Sequence, residues 1–247
     1  MSVADDRPQF EEQKRVDASE MAIDRDLKRK ALDVVIESDR HNWSYQWSWL
    51  GIPIIQMPPD VIATQEVIWE TRPQVVIETG IARGGSLILH ASILEIIGEG
   101  LVIGIDIDIR DHNRQAIESH SLSKRITMFE GSSVDPFLVD RIKAETAGAE
   151  RVMVILDSNH THQHVLDELR LYSPLVTEGQ FLIVADTVVE DLPAQEHRPR
   201  AWGPGDNPGT ACAAFLEEND RFIRDRFMNE KLLISSSPGG YLRCVKP

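Results

Sequence analysis

The middle of the chain alternates between short, wholly apolar runs and longer segments with apolar residues at helical spacing. The runs predict strands at residues 75–77, 101–105, 126–129, 152–156 and 181–184, and the clearest helices between them are predicted at about 86–97 and 163–172. Uninterrupted apolar strands that alternate with helices are typical of a parallel sheet covered on both faces. The pattern therefore predicts a Rossmann-like, doubly wound α/β fold.

The end of the chain has a different pattern. Residues 231–235 and 241–245 flank Pro238-Gly239-Gly240, which predicts an antiparallel C-terminal hairpin. Together with the five parallel strands, this hairpin gives a mostly parallel, seven-stranded sheet. The segment 189–209 is rich in proline and glycine and has no periodicity, which is typical of a functional lid or of a disordered segment.

The first sixty residues are expected to lie outside this α/β unit. Residues 1–40 are charge-rich, with apolar positions at three-to-four spacing, and predict helix. An aromatic stretch (residues 43–49) and three prolines follow, and prolines at this density exclude regular structure and predict a strap over the domain. Asp60 is predicted to cap a helix over 61–71. We therefore expect an arm and strap at 1–60 and the α/β domain at 61–247.

Charge and composition narrow the choice of partner. The chain of 247 residues carries a formal net charge of −14, which disfavours nucleic acid and anionic lipid as partners. It has no apolar run long enough to span a membrane and no secretory signal. Its two cysteines, Cys212 and Cys244, fit neither a disulfide framework nor a zinc site. These features predict a cytoplasmic protein that binds a small molecule.

Acidic residues end four of the five predicted strands, and a glycine-rich loop follows the first of them. Ligands bind at the carboxyl ends of the strands in open α/β sheets. In the loop, Ala82 stands where a dinucleotide fingerprint needs glycine, which favours S-adenosylmethionine (SAM) over a pyrophosphate. The alternative is a set of ordinary βα turns with incidental acids. The residues predicted to bind SAM are Glu78, Thr79, Gly80, Ser86, Asp106 (for the ribose), Ser132 and Ser133 (for the adenine), and Asp157.

Two of the strand-end acids suggest a metal site. Neighbouring strands lie about 4.8 Å apart, so Asp157 and Asp186 can face a common centre, where Mg²⁺ would relieve their repulsion. Thr187 is either a third ligand or an ordinary turn residue. A bound cation polarises a substrate hydroxyl. His160 follows Asp157 closely enough in sequence to accept the proton of that hydroxyl.

Each of these residues also has a structural interpretation. His160 begins a run of three alternating histidines, which fits solvated residues at the start of a helix. A zinc site from the three is disfavoured because residues two apart on a helix diverge. Asp186 could merely cap the next segment.

Several motifs occur together from about residue 45 to the end. They include Tyr45-Gln46-Trp47, Ile77-Glu78-Thr79-Gly80, Gly84-Gly85-Ser86, Gly104-Ile105-Asp106-Ile107-Asp108, Leu156-Asp157-Ser158-Asn159-His160 and Gly239-Gly240-Tyr241-Leu242. In this combination the chain resembles the cephalosporin hydroxylase and rhamnosyl O-methyltransferase family, itself similar to macrocin-type and catechol-type metal-dependent O-methyltransferases.

The resemblance implies a class I methyltransferase domain with SAM at Glu78, Gly80, Ser86, Asp106 and Ser133. It also implies a metal held by Asp157 and Asp186, with His160 as the general base. Relatives often carry two adjacent acids after the fifth strand, whereas this chain has Ala185-Asp186-Thr187. Thr187 would then substitute for the lost carboxylate.

The favoured function is SAM- and Mg²⁺-dependent methylation of a hydroxyl on a saccharide or other polyhydroxylated natural product, by a homo-oligomer. The aromatic strap and a loop with His197, Arg198, Arg200 and Trp202 would close over the acceptor, although the strap aromatics fit a core equally well. The rival functions are a hydroxylation component of antibiotic tailoring and a non-catalytic SAM-binding scaffold.

Overall fold

The computed structural model describes residues 5–194 and 198–247, and His197 of the predicted lid lies outside them. The described helices are α1 (Arg7–Ile23), α2 (Arg25–Asp39), α3 (Pro58–Thr71), α4 (Gly85–Ile97), α5 (Asp111–Glu118), α6 (Pro136–Glu145), α7 (His162–Tyr172), α8 (Pro208–Glu218) and α9 (Arg226–Lys231). The strands are β1 (Trp47–Trp49), β2 (Ile52–Ile54), β3 (Val75–Thr79), β4 (Leu101–Asp106), β5 (Ile126–Glu130), β6 (Val152–Leu156), β7 (Phe181–Val184), β8 (Phe222–Arg224) and β9 (Tyr241–Cys244). None of the described helices has the length and apolarity of a membrane span.

A seven-stranded sheet in the order β5-β4-β3-β6-β7-β9-β8 forms the centre of the fold. Strands β3 to β7 are parallel, and β9 runs antiparallel to both β7 and β8. Apolar residues of α6, α7 and α8 cover one face of the sheet, and those of α3, α4, α5 and α9 cover the other. The predicted doubly wound, mostly parallel sheet is confirmed.

The order of the strands reverses at β3, which lies between β4 and β6. At such a switch point the loops leaving neighbouring strands diverge and open a crevice at the carboxyl edge. The glycine loop follows β3 and Asp157 follows β6, so both lie at this crevice.

The prediction of a strand at residues 231–235, the first strand of the C-terminal hairpin, is wrong. Residues 232–236 form no strand, and Ser235 and Ser236 hydrogen-bond to Asp60 instead of entering the sheet. The partner of β9 is β8, so the connection spans residues 225–240 rather than a tight turn at 238–240.

The proline-rich strap contains regular structure, contrary to prediction. Strands β1 and β2 form an antiparallel hairpin in which Pro53 lies opposite Ser48. Leu50 and Gly51 both have positive φ, as a tight hairpin turn requires. Proline is tolerated there because the pair is a small sheet with free edges. The carbonyl oxygen of Pro53 would lie 2.3 Å from a Cβ at Gly85, so the hairpin packs directly on the glycine loop.

Asp60 is not the cap of α3, because the helix begins earlier and Met57 is its N-cap residue. The Asp60 carboxylate is buried and accepts hydrogen bonds from Ser235 Oγ at 2.5 Å and Ser236 N at 2.8 Å. Burial raises the pKa of Asp60 to about 6, and the charge of Asp186 adds to this rise. The predicted domain division at residue 60 falls within α3 and stays a prediction.

The predicted helical arm is present as α1 and α2. Helix α1 buries Ala18 alone among its residues and packs along α9. There the Arg15 guanidinium lies 4.9 Å from the ring centre of Phe227, and Arg226 donates to Ser19 Oγ. Most of α1 remains exposed.

Candidate active site

The glycine loop approaches β6 so closely that only glycine fits at its start. Gly80 has φ +92°, and a Cβ there would lie 1.9 Å from the carbonyl oxygen of Asp157. Its backbone N–H donates to the carbonyl of Ile105 at 2.7 Å. The first residue of the loop is thereby fixed against both neighbouring strands.

Asp106, the last residue of β4, holds the next part of the loop. Its Oδ2 accepts hydrogen bonds from the backbone N–H of Ile81 at 2.8 Å and of Ala82 at 3.0 Å. Ala82 has φ +46°, a conformation that these bonds help to maintain. The predicted ribose ligand therefore also orders the glycine loop, and it lines a cavity.

Two cavities open at the crevice. The first, of about 360 Å³, extends toward the strap and the 198–202 segment, and the second, of about 430 Å³, extends over the ends of β4 and β5. They share the residues Gly80, Ala82, Asp157, Ser158 and Trp202. The two spaces therefore meet beside the glycine loop and Asp157.

Most of the predicted site residues line these cavities. Ser86, His160 and Asp186 line the first, and Asp106, Ser132 and Ser133 line the second, while Gly80 and Asp157 line both. From the predicted lid, the first cavity is also lined by Tyr45, Arg198, Arg200 and Trp202.

The side chains of Glu78 and Thr79 line neither cavity. Both are fully buried, and Glu78 Oε2 lies 3.5 Å from Nε2 of the equally buried His90 in α4. Neither Glu78 oxygen has a hydrogen-bond partner among the described residues. Strand β3 continues through Thr79, and alternation along it turns Glu78 toward α4 together with Val76.

Thr187 also lies outside both cavity linings. It is buried, and its hydroxyl donates to the carbonyl of Pro238 at 2.8 Å. Its role as a third metal ligand stays a prediction.

Asp157, His160 and Asp186 form a compact cluster where the cavities meet. One ligand atom from each lies within 4.8 Å of those from the other two. The imidazole of His160 lies between the carboxylates, with Nε2 at 3.3 Å from Asp157 Oδ1 and Nδ1 at 3.1 Å from Asp186 Oδ2. Asp186, two residues after β7, adopts φ +54°.

Burial and mutual charge shift the pKa values of this cluster. Burial raises the pKa of Asp157 to about 7, against the attraction of the adjacent His160 imidazole, and the charge of Asp186 raises it further. Burial lowers the pKa of His160, but Asp186 and Asp157 outweigh it and raise that pKa to about 9. The three groups therefore hold a proton on or next to His160 at neutral pH.

The 198–202 segment contacts both the cluster and the arm. Trp202 packs edge-on against His160, with ring centres 5.0 Å apart. Arg198 pairs with Asp39 at 2.9 Å and lies over the Tyr45 ring at 5.2 Å. The described part of the lid and the strap thus meet in the lining of the first cavity, and their closure over an acceptor stays a prediction.

Three further polar residues of the site were missed from the sequence. Asp60 lines the first cavity and His164 lines the second, while Glu168 lies fully buried behind His164. A carboxylate four residues after a histidine in a helix was the available signal for the last pair, since such residues share a helix face.

The chain is similar to known proteins over most of its length. Residues 41–245 match the family described as Rhamnosyl O-methyltransferase/CmcI. A rhamnosyl O-methyltransferase of Mycobacterium bovis is 31% identical over 223 residues, which cover 85% of this chain and 85% of that protein. Another from Mycobacterium leprae is 31% identical over 168 residues, with 64% of this chain and 70% of that protein covered.

Solved structures share the fold at lower sequence identity. A CmcI structure with Mg and SAM has a TM-score of 0.59 at 21% identity and covers 82% of this chain and 78% of that one. The O-methyltransferase TomG of Streptomyces achromogenes, in complex with SAM, has a TM-score of 0.55 at 13% identity, with 87% and 90% covered. The family match and the mycobacterial relatives show that the chain belongs to the rhamnosyl O-methyltransferase/CmcI family, as an SAM-dependent O-methyltransferase.

Proposed function

We propose that this enzyme methylates a hydroxyl of a saccharide or other polyhydroxylated natural product, with Mg²⁺ bound by Asp157 and Asp186. The observation that carries the proposal is the convergence of Asp157, His160 and Asp186 within 4.8 Å at the junction of two cavities. The relatives' name, rhamnosyl O-methyltransferase, supports a sugar hydroxyl as the acceptor.

The second cavity is the proposed site of the adenosine part of SAM. Asp106 reaches it from β4, and Ser132 and Ser133 reach it from the end of β5. The methionine part would extend past Gly80 toward Ser86, at the start of α4, in the first cavity. The acceptor would occupy the remainder of the first cavity, beneath Trp202 and Tyr45.

The cluster fits a divalent cation by its donor set. Two carboxylates whose oxygens converge are suited to a hard cation such as Mg²⁺, and the cavity leaves room for water or substrate oxygen. Held by these carboxylates, a cation would lower the pKa of a substrate hydroxyl beside it. Thr187 stays the proposed third ligand in place of the acid absent at Ala185.

His160 is the proposed general base. The two neighbouring carboxylates raise its pKa to about 9, and a cation bound between them would offset their charge and lower that pKa. The acceptor hydroxyl gives that proton to His160 while its oxygen attacks the SAM methyl carbon. The bond from this carbon to sulfur breaks, and S-adenosylhomocysteine (SAH) leaves. Positioning of the two substrates supplies most of the rate in such a displacement.

The direct test is product analysis with methyl-labelled SAM, Mg²⁺ and a panel of rhamnosides, other glycosides and catechols. We expect label on a glycoside hydroxyl, with a mass gain of one methyl group. Label on catechols alone would contradict the acceptor class, and a mass gain of one oxygen would favour the hydroxylation rival. Failure to bind SAM or SAH would favour the scaffold rival.

Asp157→Asn is the matched variant for this assay, and Asp191→Asn, an exposed acid outside both cavities, is its control. We expect the first to abolish labelling and the second to leave it unchanged. Retained labelling in Asp157→Asn would remove the proposed metal site from the reaction.

We also propose a cytoplasmic location and self-association through α1. Both cysteines are free and buried, which fits the predicted reducing cytoplasm. The exposed residues of α1 include Phe10, Val16 and Ile23, which supports self-association through the arm. Light scattering would test this association, and a monomer at micromolar concentration would contradict it.

A further inference from the structure

The second cavity has a polar wall to which the proposed function has so far assigned only Ser133. Two of its lining side chains are His164, in the first turn of α7, and Ser133, after β5. Ser158 also lines the cavity, Glu168 lies buried behind them, and all four residues are joined by hydrogen bonds.

Glu168 anchors this wall from inside the protein. Its side chain is fully buried, and its Oε1 accepts the hydroxyl proton of Ser158 at 2.7 Å. The same oxygen lies 3.5 Å from His164 Nε2, one helical turn away. A buried carboxylate is costly unless it is hydrogen-bonded. Among the described residues this one has its hydrogen bond from Ser158, at the His164 wall, while Oε2 has no partner.

The network fixes which nitrogen of His164 carries a proton. Ser158 has a single hydroxyl proton and gives it to Glu168, so it can only accept from His164 Nε2, 3.2 Å away. Nε2 is therefore the protonated nitrogen, and in the neutral ring Nδ1 is an acceptor.

Ser133 completes the pattern. Its Oγ lies 3.1 Å from the same Nε2 and accepts from the N–H that Ser158 also shares, so the hydroxyl proton of Ser133 stays available. No described residue hydrogen-bonds to His164 Nδ1, and both side chains line the cavity. The wall thus presents one acceptor and one donor to a ligand.

We propose that His164 and Ser133 read the hydrogen-bonding edge of the adenine of SAM, with Ser158 and Glu168 as positioning residues. Adenine offers an amino donor at N6 beside an acceptor at N1, which complements this pair. Hypoxanthine reverses both groups, with an acceptor at O6 and a donor at N1. The inference rests on the proposed position of the adenosine in the second cavity.

The test is calorimetric binding of SAH and of its inosine analogue, S-inosylhomocysteine, to the full chain. The wild type should prefer SAH by about tenfold or more, because two hydrogen bonds are lost or reversed in the analogue. His164→Phe keeps a planar ring and should bring the two dissociation constants within about threefold. Glu168→Gln keeps the His164 ring and should still reduce the preference for SAH over the inosine analogue. A merely structural role of His164 would not explain that reduction.

The controls separate the possible failures. Ser133→Ala gives a second, smaller change if His164→Phe does not fold, and it should also narrow the preference. His120→Phe, outside both cavities, should leave the preference as in the wild type. Equal binding of both ligands by the wild type, or an undiminished preference in His164→Phe, would overturn the inference alone. Binding of neither ligand would overturn the proposed donor site as well.

Discussion

At the scale of one residue, the conformation of the glycine loop depends on the absence of a side chain at Gly80. A methyl group at Gly80 would meet the Asp157 carbonyl oxygen, whereas Gly148 has a similarly positive φ with nothing within 4 Å. We therefore expect Gly148→Ala to cost only backbone strain, about 1–2 kcal/mol. Gly80→Ala should cost more and should weaken SAH binding. If both substitutions lowered the free energy of unfolding in urea equally and left SAH binding intact, this close approach would be contradicted.

Asp60 should make the stability of the protein depend on pH. Its pKa is about 6 in the folded state, against 3.8 for an unperturbed aspartate, so the folded state holds the proton to higher pH. Stability therefore falls as the pH rises through this window, by about 2–3 kcal/mol in total. Urea unfolding from about pH 4 to 7 should show a flatter profile for Asp60→Asn than for the wild type. Parallel profiles would refute this expectation, and Asp191→Asn is the matched control.

His160 is expected to affect the chemical step and not the binding of the donor. His160→Gln keeps a polar side chain between Asp157 and Asp186 but cannot act as a base. The rate constant kcat should fall roughly 10²–10⁴-fold, the usual contribution of a general base. The dissociation constant of SAH should stay within a few-fold of wild type. A large loss of SAH affinity with unchanged kcat would assign His160 to donor binding instead.

Residue types at strand ends were predictable because parallel strands deliver their carboxyl ends to one edge. Asp106, Asp157 and Asp186 reach the crevice for this reason. The direction of a side chain near a strand end was not predictable, because it changes with each residue added to the strand. Glu78 faces α4 since β3 runs on to Thr79.

At the scale of elements, the 198–202 segment is held against the arm by Arg198. This side chain pairs with Asp39, donates to Asn42 and lies over the ring of Tyr45. Arg198→Ala should speed amide hydrogen exchange in residues 198–206 by roughly tenfold, since these contacts are partly buried. Arg25→Ala, an exposed change in α2, should leave this exchange as in the wild type. Unchanged exchange in Arg198→Ala would show that the lid is fixed by other contacts.

Elements with long apolar runs were predicted well because such runs fit only the centre of a covered sheet. Strand β8 was missed because it has three residues and buries Phe222 alone. The segment 231–235 has a strand-like pattern, but its Ser235 hydrogen-bonds to Asp60 in α3, a contact between residues distant in sequence. The sequence does not predict the β1–β2 hairpin, because proline disfavours strands in general, although a free sheet edge tolerates Pro53.

For the whole molecule, the switch in strand order accounts for the proposed donor and metal sites being adjacent. It separates the loops after β3 and β6 and places Asp157 in both cavities. Binding of SAH and of Mg²⁺ should therefore be coupled, and by linkage each should change the affinity of the other by the same factor.

The most direct measurement of the central claim is calorimetric titration of Mg²⁺ into the SAH-saturated enzyme. We expect one Mg²⁺ site in the wild type and in Asp191→Asn. We expect loss of that site in both Asp157→Asn and Asp186→Asn, while SAH binding persists. Wild-type Mg²⁺ affinity in Asp157→Asn and Asp186→Asn would contradict a metal centre between the two cavities.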